Sequence, residues 1–184
     1  MGCFELADED YKAPCIYELT VYTWSTSADK LFAERDFRIT DKNGETIVIA
    51  TSRWLYMDIN RRRPVRITPE IMDRYESEPE THVFTEKVNR IDPPDTGYIE
   101  IPYNILRRDV DYLGHMHNIS YLDAAYDVMP EEYFNGPQFN FVSIEYRKEL
   151  LRNDEVKAHF YKIDKGCIIS LNTDKINAVI MLKY

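Results

Sequence analysis

The stretch Arg108-Asp109-Val110-Asp111-Tyr112-Leu113-Gly114-His115-Met116-His117-Asn118-Ile119-Ser120-Tyr121-Leu122 concentrates more reactive side chains than any other part of the chain. It reads as the end of a strand, a loop that turns on Gly114, and the start of a helix. Upstream, residues 98–108 (YIEIPYNILRR) have the character of a strand. Downstream, Ile119, Leu122, Ala125, Tyr126 and Met129 recur at helical spacing, so a helix over 119–129 is expected to bury that face. Pro130 closes it. A helix N-terminus leaves backbone N–H groups unpaired and carries partial positive charge, which suits the oxygen of a developing oxyanion. With Asp111 and His115 beside such groups, the segment is equipped for attack on a carbonyl by water or by a carboxylate.

Working outward, strands are expected near 139–150, 154–164, 166–172 and 175–184, with turns at Asn153-Asp154 and Asp164-Lys165-Gly166. The second half is then an α+β unit: one strand, one helix, and an antiparallel run. The first half reads as an antiparallel meander. Residues 16–25 alternate, 31–40 form a second strand, Asp41-Lys42-Asn43-Gly44 makes a tight hairpin, and 45–58 return as a long third strand. Thr68 and Pro69 are placed to cap and open a short helix over 69–75. Asp92-Pro93-Pro94-Asp95 reads as a linker, which divides the chain into 1–96 and 97–184.

Composition narrows the function classes. A chain of 184 residues with 23 Lys and Arg against 32 Asp and Glu carries a net charge of −9, which disfavours general nucleic-acid binding. No run approaches the ~18–20 apolar residues of a membrane helix, and the start lacks the basic flank of a signal peptide. The three cysteines, Cys3, Cys15 and Cys167, form no CxxC pair, so a reducing cytoplasm is the simplest setting. Neither GxGxxG nor GxxxxGK[ST] occurs. Trp24 and Trp54 read as core aromatics, and His82 and His159 as surface residues.

Asp109, Asp111, Gly114, His115, Asn118, Tyr121 and Leu122 fit without a gap the hotdog-fold thioesterase pattern D-x-D-x-x-G-H-x-x-N-x-x-Y-L. Arg35-Asp36-Phe37, the run Ala50–Asp58 and Arg62-Arg63-Pro64-Val65-Arg66-Ile67 look like the first-domain pattern of acyl-acyl-carrier-protein thioesterases. Glu145-Tyr146-Arg147-Lys148-Glu149 adds a third match. The chain therefore resembles that family from about residue 16 to its end.

The resemblance implies an α+β tandem hotdog fold, in which antiparallel sheets wrap a central helix. It implies hydrolysis of fatty acyl-acyl-carrier-protein in fatty-acid synthesis, with no metal or dissociable cofactor. The catalytic residues would lie in the hotdog at 97–184, while the hotdog at 1–96 helps hold the acyl chain. Carried over, Asp111 and His115 match the catalytic aspartate and histidine, and Glu149 matches a glutamate placed to activate water. Asn118 and helix N–H groups are the remaining polar candidates.

The match breaks at Leu113, where plant-type members carry a catalytic asparagine, at Leu150, where many carry cysteine, and at His117, where a second asparagine is usual. Nothing in residues 1–15 supplies the strand and helix that open the family's first domain. The expectations are an N-terminally incomplete chain, or a first domain completed by another subunit, as in a homodimer.

The bland readings are a loop aspartate that caps the next helix for Asp111, and an exposed strand carboxylate for Glu149. His115 and His117 form an HxH pair, but no clear third metal ligand accompanies them. Arg61, Arg62, Arg63 and Arg66 form the strongest basic cluster, suited to docking an acidic carrier protein; Arg107 and Arg108 are secondary candidates. The alternatives are an acyl-CoA thioesterase and a non-catalytic acyl-binding module.

Overall fold

Alternating side chains and polar turns assemble the chain into antiparallel sheets. The computed structural model describes residues 18–58, 60–61, 63–84 and 89–184. They fall into two compact units, divided between Val88 and Asn89.

In the first unit, β1 (Thr20–Ala28), β2 (Phe32–Thr40) and β3 (Thr46–Leu55) form a sheet in that order. The hairpin between β2 and β3 closes on Asp41, whose Oδ1 accepts the N–H groups of Asn43 and Glu45, both at 2.9 Å. Gly44 takes the positive φ of 84° that this turn needs. The expected third strand breaks at Tyr56, whose N–H turns to Leu31 O instead; Met57–Asp58 (β4) then pairs with Arg63–Pro64 (β5). Helix α1 (Pro69–Arg74) follows Thr68 as expected, but the Thr68 carbonyl, not its hydroxyl, receives the first N–H groups. The segment after α1 is tied to the sheet: Glu78 N–H donates to Ser25 O, Trp24 Nε1 to Thr81 O, and Val83 N–H to the buried Asp36 Oδ2. Trp54 is not a core aromatic; it is 57% exposed on β3. Cys3, Cys15, Arg62 and the expected start of β1 at 16 lie outside the described residues.

The second unit is a five-stranded antiparallel sheet with the order β6-β8-β9-β10-β7. Its strands are β6 (Tyr98–Tyr103), β7 (Phe141–Tyr146), β8 (Val156–Ile163), β9 (Gly166–Asn172) and β10 (Ile176–Lys183). Helix α2 (Ser120–Asp127) lies on one face, followed by the single-turn α3 (Glu131–Phe134). Between them sits Pro130, which has no N–H to continue α2. Tyr121, Ala124, Ala125 and Val128 of the helix segment pack with Ala158, Phe160, Ile169, Leu171, Ala178 and Ile180 of the sheet. The two fully buried alanines let the helix axis approach the strands closely.

The helix is thus turned relative to the face read from spacing: Ile119 and Tyr126 are exposed, while Tyr121 and Ala124 are buried. Its short length explains the error, because the loop contacts of Tyr121 set the rotation as much as the apolar stripe does. The first strand also ends early. Beyond Tyr103 the chain curls into a turn of 3-10 helix at Arg107–Asp109, because the buried Asp109 Oδ2 accepts Leu106 N–H at 2.7 Å. The linker is clamped to this unit: Ile91 N–H donates to Glu145 Oε2 at 3.0 Å, and Arg147 Nη2 donates to Ile91 O and Asp92 Oδ1.

The outer face of the sheet holds Ile91, Tyr161, Ile168 and Val179. Beside them His159, expected at the surface, is only partly exposed. Its side chain is 17% exposed, stacked 4.0 Å from the Tyr98 ring and 3.2 Å from Glu100 Oε2. A hydrogen bond from Lys157, helped by His159, holds the Glu100 carboxyl below its ordinary value of 4.5. A lowered folded-state value means this contribution is complete above pH 4.5 and is lost as pH falls through the folded value. Glu100→Gln is therefore expected to lower the urea midpoint at neutral pH, and the gap is expected to close in acid, once the pH has fallen below the lowered folded value. A gap that persists unchanged in acid contradicts this.

The β8–β9 hairpin fixes a second sensitive position. A Cβ on Gly166 would lie 2.0 Å from the Leu182 carbonyl oxygen on the paired strand β10. Gly166→Ala is expected to cost about 3 kcal/mol, read from equilibrium unfolding; a change under about 0.5 kcal/mol contradicts the tight pairing.

Candidate active site

The candidate site is built from the 110–116 loop, the start of α2 and the segment after β7. Asp111 shapes the loop. Its Oδ1 accepts the N–H groups of Leu113 at 2.8 Å and His115 at 3.1 Å, and its own N–H donates to His115 O at 2.8 Å. Gly114, at φ 85°, allows the reversal, and its N–H donates to Asp111 O. This is an Asx-type turn within the loop; Asp111 does not cap the next helix, the bland role expected of it. It uses only one carboxylate oxygen: among the described residues, Oδ2 of this half-buried group accepts no hydrogen bond.

Leu113 departs less than its side chain suggests. Position 113 serves the loop through its backbone N–H, which leucine supplies as well as asparagine does. The Leu113 side chain itself is 62% exposed.

The loop then pairs with a distant segment. Val110 bridges Met116, His115 bridges Leu151, and Met116 N–H donates to Leu150 O at 2.8 Å. That pairing brings His115 Nε2 within 3.4 Å of Glu149 Oε2. The Glu149 side chain is 72% exposed and that of His115 29%, so the pair faces open space. Leu150 is fully buried in the core, so the residue at that departure contributes backbone groups rather than a side chain to the site.

The helix start differs from the expectation. Ile119 N–H donates to His117 Nδ1 at 3.4 Å and Ser120 N–H to His117 O at 2.9 Å, so these two groups are already engaged. His117 is thereby a polar group that closes the helix start. Asn118 is exposed; its carbonyl accepts from Tyr146 Oη at 3.0 Å, and its side-chain amide has no partner among the described residues. The structure thus brings Asp111, His115, Glu149 and Asn118 to one end of the second unit. Among the described residues, no three His, Cys, Asp or Glu side chains gather in a metal-binding arrangement.

Sequence reasoning missed the residues that hold these segments together. Tyr121 Oη accepts Leu150 N–H at 3.2 Å, and its ring meets Tyr146 edge-on at 5.1 Å. Asn177 is fully buried on β10 and reaches Glu149 O. One signal was readable: an asparagine interrupts an otherwise apolar strand, Ile176-Asn177-Ala178-Val179-Ile180.

The basic cluster lies in the first unit. Arg61, Arg63 and Arg66 are exposed, and Arg61 is partly offset by Asp58, whose Oδ1 accepts its backbone N–H. Arg107 and Arg108 are exposed at the 3-10 turn, with Arg108 Nε 3.7 Å from Asp109.

Comparison with known proteins places these features in one family. The family description "Acyl-ACP thioesterase N-terminal domain" matches residues 13–75, and "Acyl-ACP thioesterase C-terminal domain" matches residues 94–181. The chain is 28% identical over 160 residues to oleoyl-acyl carrier protein thioesterase 2, chloroplastic, of Arabidopsis thaliana, covering 80% of this chain and 43% of that protein. It is 26% identical over 144 residues to the palmitoyl-acyl carrier protein thioesterase of the same plant, covering 75% and 35%. The chain thus spans less than half the length of these curated relatives. Its fold matches an acyl-ACP thioesterase from Bacteroides thetaiotaomicron with a TM-score of 0.74 at 21% identity, over 91% of this chain and 68% of that one. A putative oleoyl thioesterase from Lactobacillus plantarum gives 0.71 at 24%, over 90% and 67%. The fold is of the hotdog type, and the chain belongs to the acyl-ACP thioesterase family.

Proposed function

We propose that this chain acts in hydrolysis of the thioester between a fatty acyl group and the phosphopantetheine arm of an acyl carrier protein. The carrying observation is the Asp111 loop, which presents one unengaged carboxylate oxygen beside the His115–Glu149 pair. In this reading, water attacks the carbonyl carbon and its proton passes to Asp111 or Glu149. The C–S bond then breaks, and His115 relays that proton from the carboxyl group to the leaving sulfur. Direct attack by Asp111 is the other route, through an anhydride that water then opens. The side-chain amide of Asn118 is the donor assigned to the carbonyl oxygen, because the amides of Ile119 and Ser120 are engaged. Catalysis belongs to 97–184, and residues 1–96 serve the acyl chain.

Arg61, Arg62, Arg63 and Arg66 are assigned to docking the acidic carrier. The printed names of the relatives support an acyl-carrier-protein substrate and fatty-acid synthesis as the setting. Those relatives are chloroplastic by name. For this chain we assign the reducing cytoplasm, on which the buried Cys167 thiol, pushed up to about 12 by desolvation and so unreactive, makes no demand. Among the described residues no helix is long and apolar enough to cross a membrane.

The test follows release of the carrier thiol from oleoyl- and palmitoyl-acyl carrier protein. Asp111→Asn keeps an Oδ1 acceptor for the N–H groups of Leu113 and His115, so the melting temperature is expected to hold while turnover falls by about 10²-fold or more. Unchanged turnover contradicts the assignment. Charge reversal at Arg61, Arg63 and Arg66 is expected to raise KM for the carrier-protein substrate and leave the acyl-CoA reaction alone. An equal effect on both refutes docking there. Tight acyl binding without hydrolysis points instead to an acyl-binding module.

A further inference from the structure

Glu149 carries a long, exposed side chain, so its value to the site depends on how firmly its backbone is held. Two residues outside the proposed catalytic group hold it. Asn177 is the extra residue of a bulge in β10: Ile176 pairs with Asn172 and Ala178 with Leu171, leaving Asn177 unpaired by β9. On its other side the β7–β10 pairing ends at Tyr146 and Ala178. The freed Asn177 carbonyl accepts two successive N–H groups from the departing strand, Arg147 at 2.8 Å and Lys148 at 3.0 Å.

The Asn177 side chain completes the wrap. It is fully buried, and a buried amide is costly unless partnered. Its Oδ1 accepts Thr173 N–H and Thr173 Oγ1, both at 2.9 Å, which fixes the amide plane. Its Nδ2 then donates to Glu149 O at 3.3 Å. One residue further, Tyr121 Oη accepts Leu150 N–H at 3.2 Å, and Leu150 O accepts Met116 N–H at 2.8 Å. The peptide group joining Glu149 to Leu150 is therefore gripped at both ends, by β10 through its carbonyl and by α2 through its N–H. Met116 is the neighbour of His115, so the same bonds set the His115–Glu149 separation.

We infer that Asn177 and Tyr121 are positioning residues for the thioester reaction, acting through the Glu149–Leu150 peptide to keep the Glu149 carboxylate against the His115 ring. The inference rests on the hydrolytic reading above. It assigns a functional purpose to a β-bulge, a feature that commonly re-aims the chain beside active sites.

The experiment uses the full chain, oleoyl-acyl carrier protein as substrate, and the His115 ring resonances in NMR spectra as a second readout. Tyr121→Phe removes one oxygen and keeps the ring. Asn177→Asp keeps the side-chain shape and the acceptor for Thr173 but removes the donor to Glu149. Each is expected to lower kcat about tenfold with KM within about twofold, as a modest misplacement of a catalytic group does. Each is also expected to move the His115 resonances toward those of Glu149→Gln, and to add nothing further in a Glu149→Gln background.

Wild-type kcat and wild-type His115 resonances in Tyr121→Phe overturn the inference. So does a loss of kcat that persists in full in the Glu149→Gln background, since it then acts on packing and not through Glu149. Failure of the hydrolytic reading looks different: Asp111→Asn turns over like the wild type, while the His115 resonances still report whether Glu149 is held.

Discussion

The site depends on a short β-type contact between two segments far apart in sequence. Met116 N–H donates to Leu150 O, and His115 bridges Leu151. Burial drives that contact. Leu150 is fully enclosed by the core, and removing such a side chain from water is worth about 2 kcal/mol. The flanking residues have no choice of face: once Leu150 points inward, Glu149 points out beside His115. An apolar residue thereby sets the placement of a charged one.

The rest of the second unit supports that contact. Ala124 and Ala125 bring α2 close to the sheet, which puts Tyr121 within reach of Leu150 N–H. Tyr146, at the end of β7, holds the Asn118 carbonyl from the other side, and its ring meets that of Tyr121 edge-on. Burial pushes both phenols above their ordinary value, so both remain neutral hydroxyls at physiological pH. The carboxylate of Asp111 stabilises its own loop with one oxygen, and among the described residues the other accepts no hydrogen bond. The structural role of that aspartate is therefore compatible with the catalytic one proposed for it.

Much of this was legible in the sequence because it rests on local rules. The hairpin at Asp41-Lys42-Asn43-Gly44 and the turn at Gly114 follow from positive-φ chemistry, and the strand of the second half follow from patterning. The gathering of Asp111, His115 and Asn118 was readable from their closeness in the chain, and Glu149 only from family resemblance. What was not legible depends on tertiary contact. The rotation of α2 is set by Tyr121 as well as by spacing, and Trp54 lies exposed although it is apolar. Two of the helix-start amides expected at an oxyanion, those of Ile119 and Ser120, are spent on His117, a local competition that residue types alone do not reveal. Arg62 and residues 1–15, on which two expectations rested, lie outside the described residues.

The central claim is that His115 and Glu149 work as one unit. A double-mutant cycle on the hydrolysis of oleoyl-acyl carrier protein measures this directly. If the two side chains act together, His115→Gln with Glu149→Gln turns over no more slowly than the worse single variant, because the second change removes nothing that the first left working. Losses that multiply across the two positions would mean that the 3.4 Å contact is incidental, and would contradict the account.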